Sequence, residues 1–394
     1  MKKSLKFLSY FAFSAMLTLG LGACSDDESG VVPTPTPEPE GPTKEESFKA
    51  AIAPYIDNTV VATYKGMADN AILMADACAN IYEAFSAGEL TTDLVKAAGA
   101  HWNACRDYWE KSEAFLYGAA ADYNIDPHID SWPLDKNAMD QLLANIRAGQ
   151  AWDVANLGYG LLGFHAVEYM LFELSEDGES SLPHNVNYTE EELIYLCAVA
   201  EDLRDQCILL EASWAGVDNV TPEKLALMEA AELEPSFDYG WSMKNAGQGG
   251  SRYKNFQEAA EDLVQGCIDI ADEVGNTKIG RPANGSSEED RNYIESPYSL
   301  NSINDFVGNI ISIQNAYEGS LAGDASVSDY IKSVNPDLDT QVKNQIQACI
   351  AAIQKIPEPF AKSASGAEAD NAVTVVGTDL VDILESVMAE LSKY

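Results

Sequence analysis

In the segment Leu157 to Phe172, LGYGLLGFHAVEYMLF, only His165 and Glu168 can ionise near neutral pH; every other residue is apolar, glycine or tyrosine. Read as a helix, a stretch apolar nearly all round must be buried. A three-residue separation then sets the imidazole and the carboxylate side by side on one face. Burying the two unpaired would be costly, so they hold each other, another polar group or a ligand. From these residues alone, a satisfied buried ion pair and a ligand site both remain open.

A second group of chemistry-bearing residues runs from His101 to Asp135, HWNACRDYWEKSEAFLYGAAADYNIDPHIDSWPLD. Arg106, Glu110 and Glu113 fall at helical spacings, and the helix is predicted to end near Gly118. The loop beyond it offers Asp122, Asp126, His128, Asp130 and Asp135. Hard cations prefer carboxylate oxygens, and imidazole suits iron and zinc as well. A solvated acidic loop is the alternative, although Trp132-Pro133 amid the acids is less typical of one.

Three motif matches fail on context. Gly158 to Gly163 fits G-x-G-x-x-G by letter, but no strand precedes it and no βαβ pattern surrounds it. His165-x-x-Glu168 lacks the second histidine of the zinc peptidases, Tyr169 standing where H-x-x-E-H needs it. It is also the reverse of the E-x-x-H of di-iron bundles, with no second copy. A nucleophile elbow, a Cys–His pair and a phosphate-binding loop are absent from the sequence.

The elements that must position these groups read as helix after helix. Apolar residues recur at three- and four-residue steps in 67–87, 93–118, 189–214, 254–274, 300–318, 338–356 and 377–392. Thr189 to Glu192 forms a capping box, and Thr221-Pro222 and Asn335-Pro336 place a cap before a proline at the first helical position. Val373 to Val376 is the single short strand candidate. The fold class is therefore all-α. Asp122–Asp135 and Gly275–Pro297 interrupt the periodicity, and Pro235 to Ser251 is a further break. The expected division is a first helical bundle region over 47–235, carrying His165 and Glu168, and a second over 236–394.

Ahead of the helices, Lys2, Lys3 and Lys6 precede an apolar run from Phe7 to Leu21, as in a secretory signal, too short to span a bilayer stably. The run closes on Leu21-Gly22-Ala23-Cys24, which is similar to a bacterial lipobox. Residues 1–23 are thus expected to be a lipoprotein leader and Cys24 the lipidated first residue. Residues 24–46 form a tether: Ser25 to Glu28 is acidic, and five prolines lie between Val31 and Pro42. The acidic tract is either a surface-export tag or simply solvated. The expected location is the cell envelope, anchored to the outer membrane on either its periplasmic or its outer face.

The chain of 394 residues carries 24 basic and 63 acidic residues; losing the three leader lysines takes its net charge from −39 to −42. Nucleic acid and anionic lipid surfaces are excluded as partners, because approach would begin against repulsion. Six cysteines follow Cys24, all within helical apolar patterns and without metal-site spacing. They read as small buried hydrophobes ahead of disulfides.

Together these segments resemble the imelysin-like family. Gly163-Phe164-His165-Ala166-Val167-Glu168 fits its G-x-H-x-x-E signature, and Arg106 to Gly118 followed by Ile129 to Pro133 matches its helix-plus-loop block. Ser296 to Asn301, continuing through Asn309 to Tyr317-Glu318-Gly319, is similar to its later block. Gly118 is followed by Ala119-Ala120, where many members have proline. The resemblance implies two four-helix bundles with a site at their interface, in exported proteins associated with iron uptake and once classed as metallopeptidases. It implies a site pair of His165 and Glu168, joined by Glu113 and Asp130. Supporting roles fall to Gly163, Arg106, Trp132, Ser299 and Asn301. The implied function is non-catalytic capture of iron, or of a small iron-bearing ligand, for envelope uptake components, with iron ahead of zinc. A metallopeptidase and a module for a glycan or protein are the alternatives.

Overall fold

The computed structural model describes residues 41–393; the leader, Cys24 and most of the tether lie outside the described residues. The first helix, α1 (Lys44–Pro54), starts inside the stretch read as tether. Thr43 caps it, its backbone N–H donating to Glu46 at 2.8 Å while its hydroxyl accepts from the Glu46 N–H at 3.3 Å. Pro54 has no N–H to donate, and a widened π-helical turn, Tyr55–Val60, carries the chain into α2 (Val61–Ala87). Gly88 closes α2 in a left-handed conformation.

Helix α2 packs between α3 (Thr92–Glu110) and the long helix that follows the site motif (Glu190–Ala215). The α3 helix stops at Glu110 rather than near Gly118, and Glu113–Phe115 forms a tight 3₁₀ turn that buries Glu113. The acidic stretch beyond is not a free loop. It folds into two short helical turns, Ala119–Asp122 and Ile125–Ile129, which bury Ile125 and Ile129 beneath it.

The site motif also differs from its expected form. Residues 157–162 are extended with a 3₁₀ turn at Tyr159–Leu161, and the helix α4 is only Gly163–Leu171. Apolar content alone had suggested a continuous helix; Gly163, at φ +73, breaks it. A Cβ there would lie 2.0 Å from the Ile129 carbonyl oxygen, so glycine lets the loop carrying Asp130 reach the first turn of α4. After α4 come two short antiparallel strands, β1 (Phe172–Leu174) and β2 (Ser181–Pro183), with Phe172 opposite Pro183. The strand expected at Val373–Val376 is helical instead.

The long helix is α5 (Glu190–Ala215); the Thr189 N–H donates to Glu192 at 2.7 Å at its start. Thr221 and Asn335 cap helices that open on Pro222 and Pro336. In the second half, α6 (Phe256–Asp272) packs against α1, α7 (Ser302–Glu318) and the C-terminal helix (Val381–Leu391). Helix α7 crosses α3, where Gly308 sits so close to Glu110 that a Cβ would meet the Glu110 Cβ at 2.7 Å. Two π-helical turns, Glu273–Ile279 and Val375–Leu380, cross at Gly275 and Gly377. The first of these turns aims Lys278 into the interior. Among the described residues the core is largely apolar and aromatic, and Arg106 and Lys278 rank with its largest fully buried side chains. Cys78, Cys105, Cys197, Cys207, Cys267 and Cys349 are all free thiols, and all but Cys197 are buried.

Candidate functional site

Arg106 leaves the last turns of α3 and is completely buried. A buried guanidinium needs several acceptors, and four carboxylates supply them. Asp130 binds Nη1; Glu110 and Glu295 each lie 2.6 Å from Nη2, and Asp305 lies 3.6 Å from Nε. Lys278 enters from the π-helical turn, 3.1 Å from Glu295 and 3.4 Å from Glu113. Asp130 also accepts from the Trp109 indole at 2.7 Å. Asn309 donates to Glu110 at 2.6 Å, while Asn301 and Ser296 both donate to Asp305.

His165 sits at the edge of this cluster. Its Nδ1 is 3.1 Å from Glu168, as the three-residue spacing requires. Its Nε2 is 3.2 Å from Asp130, near in distance but not aligned for a hydrogen bond. Glu168 has a partner on each oxygen. Besides His165, its carboxylate accepts from the Tyr298 N–H at 3.0 Å, the Ser299 N–H at 2.7 Å and the Ser299 hydroxyl at 2.7 Å. Glu168 therefore pins the loop entering α7 to α4, and Ser299 serves that clamp.

Six buried carboxylates (Glu110, Glu113, Asp130, Glu168, Glu295 and Asp305) face two permanent cations and one imidazole. Even with His165 protonated, full ionisation would leave three negative charges uncompensated. Burial pushes Glu110 and Glu113 well above the usual carboxylate range, against the pull of Arg106 and Lys278. Burial likewise raises Asp305 to about 6 despite Arg106. Asp130 goes the other way: burial would raise it, but Arg106 and His165 hold it below the usual range. Burial would lower the His165 pKa, yet the flanking carboxylates of Asp130 and Glu168 bring it up to about 9.

The donor set fits a cation. One ligand atom each from Asp130, His165 and Glu295 lie within 4.8 Å of one another, as do those of Glu110, Glu113 and Asp130 and those of Glu110, Glu295 and Asp305. His165 Nε2 and Glu295 Oε2 are buried without any hydrogen-bond partner. Such orphaned atoms are expensive unless something completes them. Of the residues expected at the site, His165 and Asp130 come together. Glu113 groups with Glu110 on Lys278 rather than with His165, and Glu168 belongs to none of these groupings. Sequence reasoning missed Glu295 and Lys278 altogether. Both come from the stretch without helical period, and the one hint was Glu295 standing directly before Ser296-Pro297-Tyr298-Ser299.

Beside His165 opens a cavity of about 620 Å³, walled by Trp132, Tyr298, Ile294 and Leu300, with Leu174 and Gly178 from the β-hairpin. The Trp132 ring is 6.0 Å from the His165 ring, and the Lys278 ammonium is 5.2 Å from the Trp132 ring. A pocket of this size and largely apolar lining has the dimensions of a small-molecule site.

The family model described as Imelysin matches residues 60–387. The chain is 26% identical over 335 residues to iron-regulated protein A of Synechococcus elongatus, covering 84% of this chain and 82% of that protein. The crystal structure of a Parabacteroides distasonis protein described as an iron-regulated protein A precursor superposes with a TM-score of 0.74 at 29% identity, over 90% of this chain and 97% of that one. An imelysin-like protein from Psychrobacter arcticum shares the fold, with a TM-score of 0.55 at 14% identity over 88% and 93% of the two chains. With the family match spanning most of the helical body and both site segments, this chain belongs to the imelysin family.

Proposed function

We propose that this protein captures iron, as the ion or within an iron-bearing ligand, at the His165, Asp130 and Glu295 edge of the buried cluster, without catalysis. The observation that carries the reading is the pair of orphaned buried atoms, His165 Nε2 and Glu295 Oε2, beside an ionised Asp130. The buried carboxylates outnumber the buried cations, so a multivalent cation would take the place of the protons that burial now holds on them, and the iron-regulated relatives favour iron. The peptidase alternative needs a carboxylate free to activate water. That carboxylate would be Glu168 or Glu113; four donors already hold Glu168, three of them on Oε1, and Glu113 accepts from Lys278 at 3.4 Å.

The test is anaerobic calorimetry with iron(II) on the wild type, H165A and E295Q. Both variants should bind iron at least about tenfold more weakly while keeping the wild-type circular dichroism spectrum. Unchanged affinity in both folded variants would sink the reading.

Delivery to envelope uptake components and lipid anchoring of Cys24 to the outer membrane belong to the same proposal. They are supported by the leader pattern ending at Ala23 and by the acidic, proline-rich tether. So does a placement of the site between a 47–235 and a 236–394 helical region, supported by Arg106 of the first pairing with Glu295 of the second and Lys278 of the second pairing with Glu113 of the first. Mass spectrometry of the mature protein decides the anchor: a diacylglyceryl-modified Cys24 is expected, and an unmodified N-terminus elsewhere rejects it.

A further inference from the structure

We infer that Lys278 is a resident counter-cation of the iron centre: its ammonium competes with the metal for Glu295 and so limits how tightly the metal is held. This rests on the iron reading above and deepens it, because it names the residue that sets affinity at that site.

Lys278 is 1% exposed and reaches the cluster from the π-helical turn Glu273–Ile279. Its ammonium is 3.1 Å from Glu295 Oε1, 3.4 Å from Glu113 Oε1 and 4.0 Å from Glu110 Oε2. The Glu295 oxygen that it approaches already lies 2.6 Å from Arg106. Two cations therefore share Oε1, while Oε2 is buried with no partner. On the iron reading Oε2 is the atom that the metal takes, so metal and ammonium would face each other across a single carboxylate. Both would lie away from solvent, where water and salt screen their repulsion little. The ammonium also draws on the same negative charge that makes Glu295 a ligand. Each effect lowers affinity for the metal.

A buried ion pair can instead be purely structural, and removing one member then weakens the fold. The two roles predict opposite signs. Without a structural Lys278 the cluster loosens, and iron binding weakens or stays as it was. Without a competing Lys278 iron binding tightens. Glu113, the other close partner of Lys278, is absent from the grouping that holds His165, so the pair can be removed together without taking a ligand from the metal.

The test is anaerobic calorimetry with iron(II) on wild type, K278R, K278M and the double variant E113Q/K278M, with thermal melts of the metal-free proteins. K278R keeps the charge and should bind iron as the wild type does. K278M should bind at least about tenfold more tightly, even though its metal-free form melts at a lower temperature. The double variant removes both members of the pair, which keeps the test available if K278M fails to fold, and it should show the same gain. Affinity unchanged or weakened on loss of the charge, in a wild type that binds iron, overturns the inference and leaves the iron reading intact. An equal gain in K278R also overturns it, because the effect would then come from shape and not charge. No iron binding by any of these proteins overturns both.

Discussion

His165 is held between two carboxylates, and on the proposed reading that arrangement fixes how protons and a metal would compete for it. With its pKa raised to about 9, the imidazole is protonated at neutral pH before any metal arrives. A metal can use Nε2 only by displacing that proton. Iron affinity should therefore climb with pH, by up to about tenfold per unit, and level off near pH 9. Calorimetry in buffers of different ionisation enthalpy would count the released proton; affinity flat between pH 6 and 8 would place iron elsewhere. The His165 to Glu168 pairing was legible because residues i and i+3 lie side by side on one helix face. What was not legible is the division of labour: Glu168 spends its lone pairs on residues 298 and 299, over a hundred positions away in sequence. The carboxylates grouped with His165 are instead those of Asp130 and Glu295, and no local spacing announces Glu295.

Among the segments that carry these groups, Gly163 shows how a single backbone conformation decides the site. At φ +73, and with the Ile129 carbonyl where a side chain would stand, it joins the start of α4 to the loop bearing Asp130. G163A should lose roughly 3 kcal/mol or more, from backbone strain and the forced displacement of that loop. Urea denaturation measures it, and a loss below about 1 kcal/mol would show the contact to be dispensable. The long helices were readable from their periods, and their caps at Thr221 and Asn335 formed as expected. The misread segments share a cause. Residues 157–162 and 373–376 are apolar without an unambiguous period, and tertiary contacts, not local preference, chose extended chain for one and helix for the other. The π-helical turn that delivers Lys278 has no sequence signature at all, since it exists to let two helices cross at Gly275 and Gly377.

Across the molecule, buried acids outnumber buried cations, and this sets an unusual dependence of stability on pH. Asp305 is raised from its ordinary 3.8 to about 6, and His165 from 6.5 to about 9. In both cases the folded state holds its proton more tightly than the unfolded chain, so stability falls as pH rises through each interval. Glu110 and Glu113 act in the same direction; Asp130, held low, matters only at strongly acidic pH, where its contribution is lost. Metal-free protein should thus melt at a higher temperature near pH 5 than near pH 8, with iron restoring the difference at pH 8. Thermal melts with and without iron check this. Equal melting temperatures at the two pH values would mean the cluster is balanced by other means. The all-α class and the acidic exterior could be read from composition and period. The convergence of Arg106 and Lys278 on Glu295 could not, because it joins α3 to a π-helical turn and a loop far away in sequence.

Iron-edge anomalous diffraction from crystals of the protein grown with iron locates the metal directly. One strong peak is expected beside His165 Nε2, Asp130 and Glu295. Iron confined to exposed carboxylates, with no peak at His165, would contradict it.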